Sequence, residues 1–449
     1  MRITGVEIVP VKLPLLEPFV VSYGTFPDLA TVLVRLETDE GINGWGEGTP
    51  DPHVTGETFE GVAVTLRHFA PALLGRDPLD RSGAMRLLGL RVAGVPTAKA
   101  ALDIALHDLA GHISGLPVWA LLGGRARETL SISRVISLKS PEEMAIDATK
   151  HVAAGFSTVK LKVGDAHDIQ GDVRRVAAVR EAVGPEIGIK IDVNSGRRTP
   201  GAAIGAARSI VPYESEYIEQ PVDRRDLEGM AEVRRLSGVP VMADEAVLDA
   251  RDALRAVRLR ACDLVNIKLM KCGGLLAALT LDAVAETAGV GCQIGTMVES
   301  SVASAAGLHL ALALHNATTV EMGDRSCWPR TSVNFAPTTS AIGSPYPTVL
   351  ASLSNRMRLS CSATLANVIG SPPNAKRTLS SDAHMHPRSS VAGCHVRFYR
   401  MGYNLLAGIS RSSTSHGASL SACSPKDLEG RCSWTLSGSQ LWCAAASPA

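Results

Sequence analysis

The sequence has almost no net charge: 45 Lys+Arg stand against 44 Asp+Glu in 449 residues, a formal +1. That balance gives no overall bias toward nucleic acid or toward a membrane surface. There is no run of about 18 apolar residues of the kind a membrane-spanning helix needs. No charged-then-apolar leader opens the chain, so a soluble, cytoplasmic protein is expected. Cysteine is sparse before the tail: Cys262, Cys272 and Cys292 stand singly, without the spacing of a disulfide frame or a metal site, and read as buried thiols. The length is that of a two-domain body with ample core.

What is present is a rhythm. Thr158-Val159-Lys160-Leu161-Lys162-Val163-Gly164 alternates apolar and basic residues, so on a strand Lys160 and Lys162 leave one face and the apolar residues the other. Two ammonium groups on one face repel, and burial disfavours their charge. A lysine here is therefore expected to hold a depressed pKa and act as a base, unless this is a plain surface strand with solvated lysines. Downstream, short β-like runs end in charged residues. Along Lys162, Asp192, Glu219, Asp244 and Lys268 the steps are 30, 27, 25 and 24 residues, the length of successive βα units. The same beat places an earlier strand near Ser131 to Ile136, a seventh at Val290 to Gly295 and an eighth at Thr318 to Met322. Eight parallel strands close a barrel whose chemistry lies at the C-terminal strand ends, where all five charges fall.

Three carboxylates on the third, fourth and fifth strands, with lysines on the second and sixth, suit Mg²⁺. They are hard oxygen ligands without a Cys or His among them. Such a metal would neutralise a substrate carboxylate and the enediolate formed when its α-proton leaves, while lysines on opposite faces move the proton. The competing reading is a set of ion pairs closing an ordinary barrel.

Before the barrel, Ile3 to Val11, Ala30 to Glu37 and Ile42 to Glu47 read as strands, the last two joined by a turn at Asp39-Glu40-Gly41. Pro18 to Thr25, containing Tyr23, and Thr49 to Gly56, containing His53, read as loops. They are either plain connectors or covers that fold over the barrel mouth and select substrate, with His53 a loop residue rather than a ligand. From Glu57 to Gly115 the pattern is helical, clearest at Thr97 to Ile113 with a stripe of Ala101, Ile104, Ala105, Leu109 and Ala110. Asp103, His107, Asp108 and His112 on this helix are expected to make surface and interdomain polar contacts rather than to bind metal.

Residues 1 to about 322 resemble the muconate-lactonizing-enzyme subgroup of the enolase superfamily. The motifs are Lys160-Leu161-Lys162, Asp192-Val193-Asn194, Glu219-Gln220-Pro221, Ala243-Asp244-Glu245, Asn266 to Lys271 followed by Cys272-Gly273-Gly274, and Gly295-Thr296-Met297-Val298-Glu299-Ser300. The resemblance implies an α/β fold in which an α+β capping domain (residues 1–125) sits on a modified TIM-type (β/α)7β barrel (126–324). It implies Asp192, Glu219 and Asp244 as Mg²⁺ ligands and Lys162 and Lys268 as the acid/base pair. Lys160 would contact the substrate carboxylate, with Tyr23, Thr296, Met297, Glu299 and Glu321 as further substrate-binding residues. The partner is a small carboxylate molecule, with no nucleic acid and no membrane, and the protein is expected to be a homo-oligomer.

Within the subgroup the wording is most similar to dipeptide epimerases, notably Ser140-Pro141-Glu142-Glu143-Met144-Ala145, with N-acyl amino acids as related substrates. Three positions depart from that pattern. Glu321-Met322-Gly323, with a displaced Asp324, replaces Asp-x-Asp on the eighth strand. Val135 replaces a first-strand Thr, and Arg197 the aromatic residue after Asp-x-Asn. Glu321 resembles the cycloisomerase branch instead. The seventh strand ends in Gly295-Thr296-Met297 where dehydratases and mandelate-type racemases carry a His; His309 and His315 fall on the following helix, so a lyase is not expected. A barrel that only binds is the alternative outside enzyme chemistry.

From Arg325 onward 12 Lys+Arg face 3 Asp+Glu, leaving 33 against 41 before it, and six of the nine cysteines and three of the five tryptophans lie there. This Ser-, Arg- and Cys-rich tail (325–449) has no counterpart in the resemblance. It reads either as a poorly ordered regulatory extension or, given the abrupt change within a barrel unit, as the product of a shifted reading frame.

Overall fold

A computed structural model describes residues 1–322 and two short strands far along the tail. The chain opens with a three-stranded antiparallel sheet, β1 (Ile3–Val21), β2 (Gly24–Thr38) and β3 (Asn43–Gly48), in the order β1-β2-β3. Pro18 to Thr25 is therefore not a loop. β1 runs on to Val21 and pairs Val21 with Gly24 across a two-residue turn at Ser22-Tyr23, with a register shift between Pro14 and Phe19. The prolines that mask this strand in the sequence are tolerated because β1 is an edge strand, where a missing N–H costs no ladder bond. Thr49 to Gly56 does remain irregular.

Three helices follow, α1 (Phe59–Leu73), α2 (Arg81–Arg91) and α3 (Pro96–Ser114), then the short α4 (Val118–Leu121). In α3 every residue from Ala100 to Ala110 is buried, so the expected stripe is a whole circumference, and Asp103, His107 and Asp108 are interior rather than surface groups. The reason is that α3 has partners on two sides. One face, from Thr97 to Leu109, carries β3, and Asp103 on another face accepts from the backbone N–H of Leu275 and Leu276 in the barrel. The contact with β3 is between backbones: a Cβ on Gly44, Gly46 or Gly48 would fall 2.4, 1.9 or 2.9 Å from carbonyl oxygens of Ala105, Ala101 and Thr97. Successive residues of a strand alternate faces, so the three glycines meet the helix while Trp45 and Glu47 face the other way.

The barrel strands are β4 (Ser131–Ile136), β5 (Thr158–Lys162), β6 (Gly188–Asp192), β7 (Ser215–Glu219), β8 (Val241–Ala243), β9 (Leu264–Ile267), β10 (Gly291–Ile294) and β11 (Ala317–Met322). They close as β10-β11-β4-β5-β6-β7-β8-β9, all parallel. The crossovers carry α5 (Pro141–Ala153), α6 (Ile169–Val183), α7 (Pro200–Ile210), α8 (Leu227–Leu236), α9 (Ala250–Leu259), α10 (Leu269–Cys272) with α11 (Leu275–Thr287), and α12 (Ser301–Ala313). His309 lies in α12, but His315 falls beyond its end. Ser140 and Glu143 form a reciprocal capping box at the start of α5, which gives the Ser140-Pro141-Glu142-Glu143 motif a local structural cause. Val159, Leu161, Val163, Ile189, Ile191, Ile218, Val241 and Val265 build the core between strands and helices, leaving the alternate, polar residues to the barrel interior.

Cys262, Cys272 and Cys292 are buried free thiols. In the tail, β12 (Cys432–Ser437) and β13 (Gln440–Ala445) pair as an antiparallel hairpin within a separate unit, Asn374–Ala449. The other expectations for residues 325–449, and that for Asp324, fall outside the described residues.

The backbone contact of β3 with α3 makes one substitution diagnostic. Gly46→Ala is expected to cost about 1–3 kcal/mol by overpacking, read as a lowered urea midpoint; a variant as stable as the parent would show that β3 and α3 are not in backbone contact.

Candidate active site

Each charge singled out in the sequence is placed by the same local event, the end of a parallel strand. Lys162, Asp192 and Glu219 are the last residues of β5, β6 and β7, and Asp244 and Lys268 directly follow β8 and β9. Register aligns Lys162 with Asp192 and Asp192 with Glu219. In the closed order β5 and β9 are four strands apart out of eight, so Lys162 and Lys268 stand on opposite sides of the mouth, with the three carboxylates on the arc between them.

These groups form one buried lattice. Lys162 Nζ donates to Asp192 Oδ2 at 2.6 Å and to Asn194 Oδ1 at 3.1 Å. Lys160 Nζ, fully buried, lies 3.0 Å from Asp192 Oδ2 and 2.7 Å from Glu219 Oε2 and donates to Glu321 Oε2. On the far side Lys268 Nζ donates to Asp244 Oδ2 at 2.7 Å. Of the predicted residues, then, Lys160, Lys162, Asp192, Glu219, Asp244, Lys268 and Glu321 come together. Tyr23, Thr296, Met297 and Glu299 do not join the lattice. Tyr23, at the hairpin tip, donates to Asp51 Oδ2 at 2.7 Å and stacks on His53 at 4.7 Å, so the two N-terminal segments meet each other. They also touch barrel residues: Ser22 Oγ donates to the Asn194 carbonyl at 2.8 Å and Arg224 Nη1 to the Val54 carbonyl at 2.5 Å. Thr296, Met297 and Glu299 lie on the segment after β10, where Glu299 accepts from Met297 N at 3.2 Å and from Ser304 Oγ at 3.3 Å.

Electrostatics follow from this crowding. Burial lowers the pKa of Lys160 and Lys268, but their carboxylate neighbours, Asp192, Glu219 and Glu321 for the first and Asp244 above all for the second, reverse that and hold both well above the usual range. A depressed pKa from like-charge repulsion on this strand is thus not found at Lys160, because opposite charges outnumber the like one. Among the carboxylates, burial acts upward throughout. Lys160 and Lys162 nevertheless bring Asp192 down to about 2, and Lys268 and Lys271 bring Asp244 below its usual value. Glu219, beside Asp192, is pushed well up, and burial with Asp244 and Asp192 raises Glu245 to about 7.

Several supporting residues were not singled out from the sequence. Lys271 Nζ spends its three donors on Asp244 Oδ1 (2.6 Å), the Asp244 carbonyl (2.6 Å) and the Asn266 carbonyl (2.8 Å), fixing the Asp244 carboxylate against β9. Asn266 Nδ2 donates to Glu219 Oε1 at 2.9 Å and to Glu321 Oε2 at 3.2 Å, and Asn194 Nδ2 to Glu245 Oε1 at 3.0 Å. One layer deeper Gln293 Oε1 accepts from Lys190 (3.0 Å), Tyr217 (2.8 Å) and Thr319 (3.1 Å), which turns its Nε2 toward Glu321 at 3.1 Å. Asn194 and Gln220, following Asp192 and Glu219, have φ of 46° and 37°, strain that these bonds and those from Asp244 N and Ala246 N to Gln220 Oε1 hold in place. Arg197 does not point to the mouth; it is buried against Asp172 Oδ2 at 2.5 Å.

Whether the carboxylates fit a metal can be judged from their geometry. One oxygen from each of Asp192, Glu219 and Asp244 lies within 4.8 Å of the others, and all three side chains are buried. The set is all oxygen, and burial, with the neighbouring Asp192 charge, pushes the Glu219 carboxyl up. A hard divalent cation would offset that mutual repulsion, and three converging carboxylate oxygens are the donors it prefers, so the residues fit Mg²⁺.

Comparison with known proteins agrees with this geometry. Residues 3–123 match the family model described as "Mandelate racemase / muconate lactonizing enzyme, N-terminal domain", and residues 143–338 match "Enolase C-terminal domain-like". An N-succinyl-L-Arg/Lys racemase of Bacillus cereus is 43% identical over 323 residues, 72% of this chain and 87% of the relative, and its crystal structure superposes with a TM-score of 0.70. A hydrophobic dipeptide epimerase of Enterococcus faecalis is 39% identical over 72% of this chain and 90% of its own; its structure, complexed with Mg and the dipeptide L-Leu-L-Tyr, gives a TM-score of 0.69. Muconate cycloisomerase 1 of Rhodococcus opacus is 35% identical over 70% of this chain and 84% of its own.

The lattice predicts an asymmetric response to losing its central cation. Lys160→Met leaves Asp192, Glu219 and Glu321 short of a buried partner and is expected to lower stability by about 3–5 kcal/mol in EDTA. Adding Glu321→Gln to that variant should recover part of the loss, a coupling that urea denaturation of the double-mutant cycle measures. Strict additivity would mean that the two charges do not interact.

Proposed function

This chain belongs to the mandelate racemase / muconate lactonizing enzyme family of the enolase superfamily and is an isomerase; on that premise we propose that it epimerises or racemises an α-amino carboxylate, a dipeptide or an N-acyl amino acid. The observation that carries the reading is the placement of Lys162 and Lys268 on opposite sides of a carboxylate cluster. One neutral lysine takes the α-proton as its C–H bond breaks, giving the substrate enediolate. The other, protonated, returns a proton to the opposite face as the new C–H bond forms. Mg²⁺, held by Asp192, Glu219 and Asp244, would supply neutralisation of the charge that builds on the substrate carboxylate. Asp244 keeps Lys268 charged, which suits it as proton donor. Lys160, its three donors taken by Asp192, Glu219 and Glu321, would act on the substrate carboxylate through its charge rather than by a hydrogen bond. The segments bearing Tyr23 and Thr296, Met297 and Glu299 enclose the substrate's variable part, with residues 1–125 as the capping domain and 126–324 as the catalytic barrel.

The eighth strand favours one substrate class within this reading. Glu321 already accepts from Lys160, Asn266 and Gln293, so little of its charge is left for a free substrate ammonium. An acylated nitrogen needs no such counter-charge, which favours N-acyl amino acids such as N-succinyl derivatives over dipeptides with a free amino end. The same Glu321 supports a second reading, a muconate-type cycloisomerase.

Proton exchange in D₂O separates these possibilities. With an N-acyl amino acid or a dipeptide, Lys268→Ala should still exchange the α-hydrogen of one enantiomer through Lys162, and Lys162→Ala that of the other, while both variants lose epimerisation by at least about 10²-fold. A panel of N-succinyl amino acids, L-Ala-L-Glu-type dipeptides and cis,cis-muconate identifies the class. Ring closure of muconate without exchange on any amino-acid substrate would replace the proposal with the cycloisomerase, and binding without turnover of any of them would leave a binding protein.

A further inference from the structure

Glu47 on β3 is buried on the face opposite Gly44, Gly46 and Gly48, away from α3. Its carboxylate accepts five hydrogen bonds. Ser300 N (2.7 Å), Ser300 Oγ (2.5 Å) and Ala303 N (3.0 Å) donate from the start of α12, and Thr31 Oγ1 (2.9 Å) and Thr49 Oγ1 (3.2 Å) from its own layer. For an ionised carboxylate this is full occupancy, and the helix N-terminus adds a favourable dipole.

The helix does not need this partner in order to start. Ser300 is already its N-cap and accepts from Val302 N at 3.2 Å, as Ser140, Asp168, Thr199, Asp226 and Asp249 cap α5 to α9 from within the barrel. Only α11 and α12, among the described barrel helices, receive a carboxylate from the N-terminal layer. For α11 the capping acceptor must come from outside, because its N-cap is Gly274, which has no side chain, and the Asp103 carboxylate takes its place. At α12 the outside carboxylate is additional. What it adds is a fastening of the segment Gly295 to Ser300, which carries Thr296, Met297 and Glu299, to the strand that leads into the Thr49 to Gly56 cover. Glu299 is enclosed next to it, although the residue as a whole is only half-buried, and burial together with the Glu47 charge pushes its carboxyl up.

We propose that Glu47 is a positioning residue for substrate recognition: it locks the segment after β10 against the N-terminal layer, so that the walls of the substrate pocket on both sides are set by one buried carboxylate. This rests on the proposed epimerase or racemase reading, in which that segment receives the substrate. Glu47 touches neither the lysines nor the three clustered carboxylates, so its loss should weaken substrate binding and leave the proton transfer and Mg²⁺ binding in place.

The test is Glu47→Gln in the full chain, read in two ways. Hydrogen–deuterium exchange by mass spectrometry should show residues 296–304 exchanging about tenfold faster or more, since hydrogen bonds to a charge are lost there. KM for an accepted substrate should rise about tenfold while kcat changes less than about threefold and Mg²⁺ affinity by calorimetry is unchanged. Unchanged protection, or a fall in kcat at constant KM, would overturn the proposal. Thr49→Val, which removes one of the five donors at nearly constant volume, should move exchange and KM in the same direction by a smaller factor. If Glu47→Gln does not fold, an unaltered Thr49→Val variant counts against the proposal. Should no substrate of the panel turn over, the epimerase reading fails by itself, while the exchange of residues 296–304 still decides whether Glu47 holds the segment.

Discussion

The molecule is arranged around the burial of lysines and carboxylates at the ends of parallel strands. Asp192 alone takes ion pairs from both Lys160 and Lys162, and Asp244 from both Lys268 and Lys271. Bringing such charges out of water costs several kcal/mol each, and well-packed apolar side chains of the same volume would serve stability as well or better. A lattice of this kind is therefore weak evidence for stability and stronger evidence for chemistry. The barrel makes it tolerable by parity: Val159, Leu161, Ile189 and Ile191 face the helices and supply the core, while Lys160, Lys162, Lys190 and Asp192 face inward where each finds a partner on another strand.

The N-terminal layer depends on the same logic of partnered charge. Its interior carboxylates Glu47, Asp103 and Asp108 each accept backbone N–H groups, and the first two of these groups belong to barrel helices. Glycines at alternate positions of β3 let α3 approach to backbone contact, and that approach turns Glu47 to the opposite side. A layer that looks in sequence like a cover is thereby joined to the helices that follow the strand of Lys268 and the segment of Thr296.

Much of this is legible in the sequence because a parallel barrel repeats one event. Each strand is short, alternates in polarity and ends in the residue that matters, so Lys162, Asp192, Glu219, Asp244 and Lys268 could be located by interval alone. The less legible parts depend on contacts between distant segments. Pro14 and Pro18 hide the second half of β1, because only the sheet order reveals it as an edge. Asn266 and Gln293 sit in short strands whose neighbours are apolar, and their importance comes from side-chain hydrogen bonds to Glu219 and Glu321 on other strands. Lys271 stands in a motif, but nothing in the sequence marks it as the partner of Asp244, since a turn of helix separates it from Lys268. At Lys160 the direction of the pKa is hidden for the same reason: the alternation displays the like charge two residues away and conceals three carboxylates from other strands. For Asp103 and His107 the helical period gave the right element, and only the packing of a strand and a second helix against α3 made it buried all round.

The central claim is that the three carboxylates form one divalent-cation site on which the rest of the lattice is built. Calorimetric titration of Mg²⁺ into the full chain tests it most directly, using the parent and the Asp192→Asn/Glu219→Gln/Asp244→Asn variant, with circular dichroism to establish that the variant is folded. The account predicts one Mg²⁺ per chain for the parent and no measurable binding for the folded variant. Equal affinity in the two would contradict it.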